Sequence, residues 1–173
     1  LFDSEIRRQL PVSTNRATLV DFTNAVETSD PRNKTDLKVL FHQLAGRIPR
    51  RGMVVILSDL LTNVDDVIRG LQRFRFGRHD VLVLHVLDHD ELQFPFSDRT
   101  LFEGMEDVNL EVLTDPQSLR GSYLAALEAF LGKIRRACLD VKIDYALIST
   151  AESLDVALTT FLATRMHRQR AKA

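Results

Sequence analysis

The sequence predicts an α/β fold, a three-layer sandwich with a mainly parallel sheet, and three observations predict it. Gly52-Met53-Val54-Val55-Ile56-Leu57-Ser58-Asp59, residues 81–87 and residues 143–148 are short apolar runs rich in β-branched residues. Such runs read as strands buried on both faces. Stretches of helical period, long enough for crossover connections, separate them, and right-handed crossovers place helices on both faces of a parallel sheet.

The elements follow in order. Leu1-Phe2 reads as the end of a strand, and the chain opens on Leu rather than Met. Residues 1–173 are therefore expected to form one domain, incomplete at its N-terminus, with the first strand missing. Leu19, Phe22 and Val26, and then Leu37, Leu40, Phe41 and Leu44, recur at helical spacing on either side of Pro31 and predict two amphipathic helices. The strand at 52–59 comes next. Val64, Val67, Ile68, Leu71 and Phe74 mark a third helix, closed by Gly77. After the strand at 81–87, residues 88–107 are irregular, and residues 108–112 alternate like an exposed strand. A stretch of that length is either functional or a small hairpin insertion. Asp115-Pro116 pairs an N-cap residue with proline at the first helical position. Leu119, Tyr123, Leu127, Phe130, Ile134 and Cys138 then form one stripe. Leu154, Leu158, Phe161 and Leu162 mark the closing helix.

Composition narrows the function. At 173 residues, 45% hydrophobic and 27% charged, the chain reads as an ordinary globular domain. A net charge of -1 argues against nucleic acid as the main partner, because counterion release needs a concentrated basic face. The one basic run, Arg165 to Lys172, reads as a solvated helix end. No stretch reaches the roughly 20 apolar residues of a membrane-spanning helix. Cys138, the single cysteine, reads as inert packing and suggests a reducing compartment, the cytoplasm.

Candidate chemistry gathers at the carboxyl ends of the strands, the rim where open α/β sheets bind their ligands. Asp59 ends the first long strand, so Ser58 and Asp59, with Thr35 and Asp36 at a helix start, offer the hydroxyl and carboxylate oxygens that Mg²⁺ prefers. The same residues serve equally as helix caps or loop ties. Asp88-His89-Asp90 after one strand and Ser149-Thr150 after another imitate a haloacid-dehalogenase-like phosphatase. That chemistry needs an aspartyl nucleophile and a hard cation. Leu92 stands where its motif usually has Thr or Val, no acidic pair follows a later strand, and Ser149-x-x-Glu152 has capping-box spacing. His85 and His89 are too far apart along a strand to share a metal, and His85 reads as a satisfied core residue. Neither a Gly-x-Ser-x-Gly elbow nor a phosphate-binding glycine loop is present.

Arg50-Arg51-Gly52 through Ser58-Asp59-Leu60, His85-Val86-Leu87-Asp88 with Glu91-Leu92-Gln93-Phe94-Pro95-Phe96, then Tyr123 and Ile143-Asp144-Tyr145 carry a resemblance. The chain resembles the bacterial domain-of-unknown-function 58 family, encoded beside MoxR-type AAA+ ATPases and similar to von Willebrand factor A domains. The resemblance implies a Rossmann-like, von Willebrand factor A-like sandwich. Its metal-ion-dependent adhesion site would use an Asp-x-Ser-x-Ser strand, a threonine matched by Thr35 and an aspartate matched by Asp59. Asp3-x-Glu5 does not supply the first motif. Thr35 and Asp59 would hold a metal only if residues before Leu1 complete the set, so no cofactor is expected in this chain and Mg²⁺ belongs to the intact protein.

The function expected is thus a non-enzymatic protein-interaction module. Its rim of Thr35, Asp36, Ser58, Asp59 and Asp88 would face a MoxR-type AAA+ ATPase in chaperone-like complex assembly or metal-cofactor maturation. Self-association through the open sheet is expected of the chain alone. The alternative is a Mg²⁺-dependent phosphatase using Asp88 and Asp90.

Overall fold

The structure, a computed structural model, describes residues 1, 6–11, 13–29, 37–48, 51–104 and 111–170, with backbone alone for 167–170. In chain order these form α1 (Ala17–Glu27), α2 (Leu37–Arg47), β1 (Met53–Ser58), α3 (Val64–Phe76), β2 (Asp80–Leu87), α4 (His89–Gln93), β3 (Thr100–Glu103), β4 (Glu111–Thr114), α5 (Pro116–Asp140), β5 (Asp144–Ser149) and α6 (Leu154–Arg170). The expected strand end at Leu1-Phe2 lies partly outside the described residues.

The three apolar runs pair in the order β1-β2-β5, and both pairings are parallel. Because side chains alternate along a strand, β2 feeds two cores. Val81 and Val83 join Ile56, Phe41, Leu71, Phe74, Ile134 and Cys138 beneath α2, α3 and α5. Leu82 and Leu84 face the other way, with Ile148, and meet Ala157, Leu158 and Phe161 of α6. Helices therefore cover both faces, as the sequence predicts.

β1 departs from the expectation of burial on both faces. Ile56 is buried, but Met53, Val55 and Leu57 on the opposite face are 60%, 46% and 62% exposed. The reason is geometric: α6 reaches over β2 and β5 and stops short of β1. α1 forms where its periodicity places it, yet Leu19, Phe22 and Val26 are exposed and Ala25 alone is buried.

Local chemistry fixes the ends of the helices. The Asn63 side chain accepts from Asp65 N (3.0 Å) and Asp66 N (3.3 Å), with both acids in the first turn of α3 where the helix dipole favours them. Asp115 caps α5 by accepting from Gln117 N at 3.1 Å, with Pro116 at its start as the sequence predicts. Gly77 caps the other end of α3 with an ordinary φ of -67°; the left-handed residue is Arg78, at φ 62°.

Of two polar segments, one takes an alternative that the sequence left open and the other changes. Residues 88–104 and 111–114 are a short helix followed by an antiparallel hairpin, β3 against β4, so the long connection is a hairpin insertion. Arg165 does not belong to a solvated tail. It is 8% exposed and pairs with Asp80, and with Asp144 at 3.5 Å, where it ties α6 to the amino ends of β2 and β5. A burial of that kind needs acceptors on neighbouring strands, which a reading of charge along the chain cannot see. Among the described residues no helix is long and apolar enough to cross a membrane.

Candidate functional site

Ser58, Leu87 and Ser149 end the three parallel strands, so Asp59, Asp88 and Thr150 follow them at one rim of the sheet. The turn after β1 is tightly tied. Ser58 Oγ accepts from Leu60 N (3.1 Å), Asp59 Oδ1 accepts from Leu61 N (3.2 Å), and Leu60 O accepts from Thr62 N (2.7 Å). Leu60 holds a left-handed backbone, φ 52°, while its side chain is fully buried. A leucine pays about 1–3 kcal/mol for such a conformation, and core packing of that side chain supplies the compensation. The Asp59 side chain itself remains exposed. It ties down its own turn, whereas Asn63 caps α3.

Beneath the turn lies a buried polar link. His85 Nε2 donates to the Asp59 carbonyl at 2.6 Å. A carbonyl only accepts, so the proton sits on Nε2, and Nδ1 accepts from the Tyr145 hydroxyl at 2.9 Å. The three strands are thereby joined across their width, from the end of β1 through β2 to β5. Burial pushes the His85 pKa below its ordinary value, outweighing the favourable effect of Asp59, and burial pushes Tyr145 up to about 12. The reading of His85 as a satisfied core histidine holds. So does that of Cys138: it lies in the core at 1% exposure, and burial pushes its thiol up to about 12.

At the end of β2, Asp88 and Glu91 form a reciprocal capping box on α4. Asp88 Oδ1 accepts from Asp90 N at 2.8 Å, while Glu91 Oε2 accepts from Asp88 N at 2.9 Å. The second Asp88 oxygen accepts from the Thr150 hydroxyl at 2.7 Å. These donors, Thr150 foremost, hold the carboxyl below the usual carboxylate range. The capping-box spacing at Ser149-x-x-Glu152 is not used in that way: Glu152 N donates to the Ser149 carbonyl (3.1 Å) and α6 opens only at Leu154.

Of the residues singled out by sequence, Ser58, Asp59, Asp88 and Thr150 are brought to one rim, while Thr35 and Asp36 lie outside the described residues. The described rim does not by itself fit Mg²⁺. Near-octahedral oxygen coordination is needed, yet Ser58 Oγ and both Asp88 oxygens are directed to donors of the chain itself. Among the described residues no three Asp, Glu, His or Cys side chains gather as a ligand set.

Two features escaped the sequence reading. The His85–Tyr145 bond depends on register, which sets Tyr145 opposite Val83 and so on the face of His85; a polar residue inside each of two apolar runs was its only signal. The other is an aromatic cluster in the insertion. Phe94 packs on Tyr123 (ring centroids 4.5 Å apart), Phe96 (5.2 Å) and Phe102 (5.9 Å). The spacing Phe94-Pro95-Phe96 hinted at it without showing what the rings would meet.

No curated protein and no solved structure matches the chain. Residues 1–130, well over half of its length, match the model of a family described as "Protein of unknown function DUF58", and the chain belongs to that family.

Proposed function

We propose that this chain is the von Willebrand factor A-like part of a non-enzymatic interaction protein, and that its rim at Ser58, Asp59 and Asp88 contacts a MoxR-type AAA+ ATPase in the reducing cytoplasm. Thr35 and Asp36 would complete that rim. The observation that supports this reading is the mounting of Asp59: an exposed carboxylate on a turn whose carbonyl is gripped from below by buried His85. A preorganised charge loses little freedom on binding. The assembly served would be a chaperone-like one, or one that matures a metal cofactor. Fold analogy alone supports the choice of ATPase.

In the same reading, a further strand supplied by the intact protein pairs with β1, whose described partner is β2 alone, and completes an adhesion-type metal site around Thr35 and Asp59. This chain on its own then binds Mg²⁺ no more tightly than the millimolar range; calorimetric saturation below about 100 μM, lost in Thr35→Ala, would show a working site without the first motif.

The experiment is binding of the intact protein to its neighbouring ATPase. Asp59→Asn is expected to weaken binding about tenfold or more while stability changes by less than ~1 kcal/mol. A lowered melting temperature with unchanged binding would make Asp59 a structural tie only. The phosphatase reading has the Asp88–Thr150 pair in its favour, but among the described residues no set of carboxylates gathers beside it to hold the hard cation. Turnover of a phosphomonoester with Mg²⁺, abolished by Asp88→Asn, would replace the interaction reading.

A further inference from the structure

The insertion between β2 and α5 builds a second candidate site, away from the Asp59 turn. Phe94, Phe102, Val112, Leu119 and Tyr123 line a cavity of about 440 Å³, within the range of roughly 300–1,000 Å³ that ligand pockets span. Its floor is preorganised. Phe94 is buried in a left-handed conformation, φ 46°, at the end of α4. The flanking backbone is pinned to α5 on both sides: Arg120 Nη2 donates to the Gln93 carbonyl and Gln117 Nε2 to the Ser97 carbonyl, each at 3.1 Å. Val112 and Leu119 stand at the mouth, more than 40% exposed.

Charge in the segment that builds this apolar pocket is one-sided. The described residues between 88 and 120 carry seven Asp or Glu against two cations, Arg99 and Arg120, although the whole chain is nearly neutral at -1. Arg120 is already engaged with Gln93. On the hairpin, Glu103 and Glu111 are register partners directly across the antiparallel ladder. Like charges in that position repel and weaken the hairpin, so a cation brought between them would relieve a repulsion that the fold itself leaves standing. Alternation sets their side chains on the face opposite Phe102 and Val112, at the last described pair of the hairpin, while Glu91 lies near enough to the pocket to help burial raise the Tyr123 pKa. An anionic lipid or a fatty acid would be repelled by these carboxylates.

We infer that this pocket docks a basic peptide segment of a protein partner: one large apolar residue seated among Phe94, Phe102 and Tyr123, flanked by Lys or Arg facing the acidic surround. The inference does not rest on the rim reading. Peptide capture here could succeed or fail whatever Asp59 binds.

Fluorescence polarisation with a labelled peptide, a central leucine between pairs of lysines, tests it. Binding at ~10–100 μM is expected, several-fold weaker when salt is raised from about 50 to 300 mM. Val112→Asn and Leu119→Asn, both at the exposed mouth, should each weaken it about tenfold while circular dichroism stays unchanged, and the pair Glu103→Gln, Glu111→Gln should reduce the salt dependence. Four results would overturn the inference: no binding by the folded protein at about 1 mM peptide, equal binding when the lysines become glutamates, equal binding when the leucine becomes serine, or a fatty acid or a second copy of the chain occupying the pocket in place of the peptide.

Discussion

A methyl group at position 70 would stand 2.8 Å from both Cβ and Cγ of Phe41, because the Phe41 side chain of α2 packs directly on α3 at that glycine. Phe41 is fully buried and its ring meets Phe74 edge-on at 5.6 Å, so it has nowhere to retreat. Gly70→Ala is therefore expected to destabilise the protein by about 1–3 kcal/mol despite the better helix propensity of alanine, measured by urea unfolding. His85 gives a residue-scale prediction in pH. Its folded pKa lies below the ordinary 6.5 because it is buried, so the unfolded chain binds the proton more readily. The stability this confers is fully present above pH 6.5 and is lost as pH falls below it. Melting temperatures from pH 7.5 down to 5 should decline less steeply in His85→Gln than in the native protein, and equal slopes would show that His85 does not titrate with unfolding. The positions of Asp59 and Asp88 at strand ends were legible in the sequence, since an apolar run closing on a carboxylate marks the end of a strand. Their bonds were not, because Asp59 meets His85 and Asp88 meets Thr150 only once register has been set.

Among the elements, the long helices declared themselves by period and the parallel strands by unbroken apolar runs, whereas the short α4 did neither. Five residues are too few for periodicity, and its capping box was hidden while a similar spacing at 149–152 lay in a turn. Helix ends offer a test in which backbone and side chain weigh differently. Lys142, exposed and left-handed at φ 59°, follows α5 with no buried side chain to hold it. Lys142→Gly should stabilise by up to about 1 kcal/mol. Leu60 and Phe94 share that backbone conformation but bury their side chains, and glycine at either should instead destabilise by about 2 kcal/mol or more, as lost packing exceeds relieved strain. At the start of α3, Asn63→Ala should cost about 1 kcal/mol through the lost cap. Thermal unfolding of the four variants orders them.

For the molecule as a whole, alternation predicted two covered faces, and that is what β2 and β5 have. It could not predict the half-open β1, since a run of apolar residues does not say which helix is long enough to cover it. Met53, Val55 and Leu57 leave a contiguous apolar face beside a strand paired on one side among the described residues, the arrangement that invites association. Sedimentation of the chain should show concentration-dependent oligomers, and Val55→Thr with Leu57→Lys should shift them toward monomer with little loss of stability; a native monomer at high concentration would mean that the face is protected. Arg165 ties α6 to the amino ends of β2 and β5. Replacing it by Ala should cost roughly 2–3 kcal/mol, less than the about 3–5 of a fully buried pair because Asp80 is half exposed.

The two tyrosines have a spectroscopic consequence. The sequence holds no tryptophan and two tyrosines, one in the aromatic pocket and one hydrogen-bonded to His85. Ultraviolet emission and near-ultraviolet circular dichroism of the chain are therefore dominated by two chromophores, each stationed in a different place of interest. Tyr123→Phe leaves a protein whose phenol signal comes from the strand-spanning link beneath Asp59, and Tyr145→Phe leaves one whose phenol signal comes from the pocket. With such a pair of variants, a ligand of either site announces which one it has entered without any label being attached.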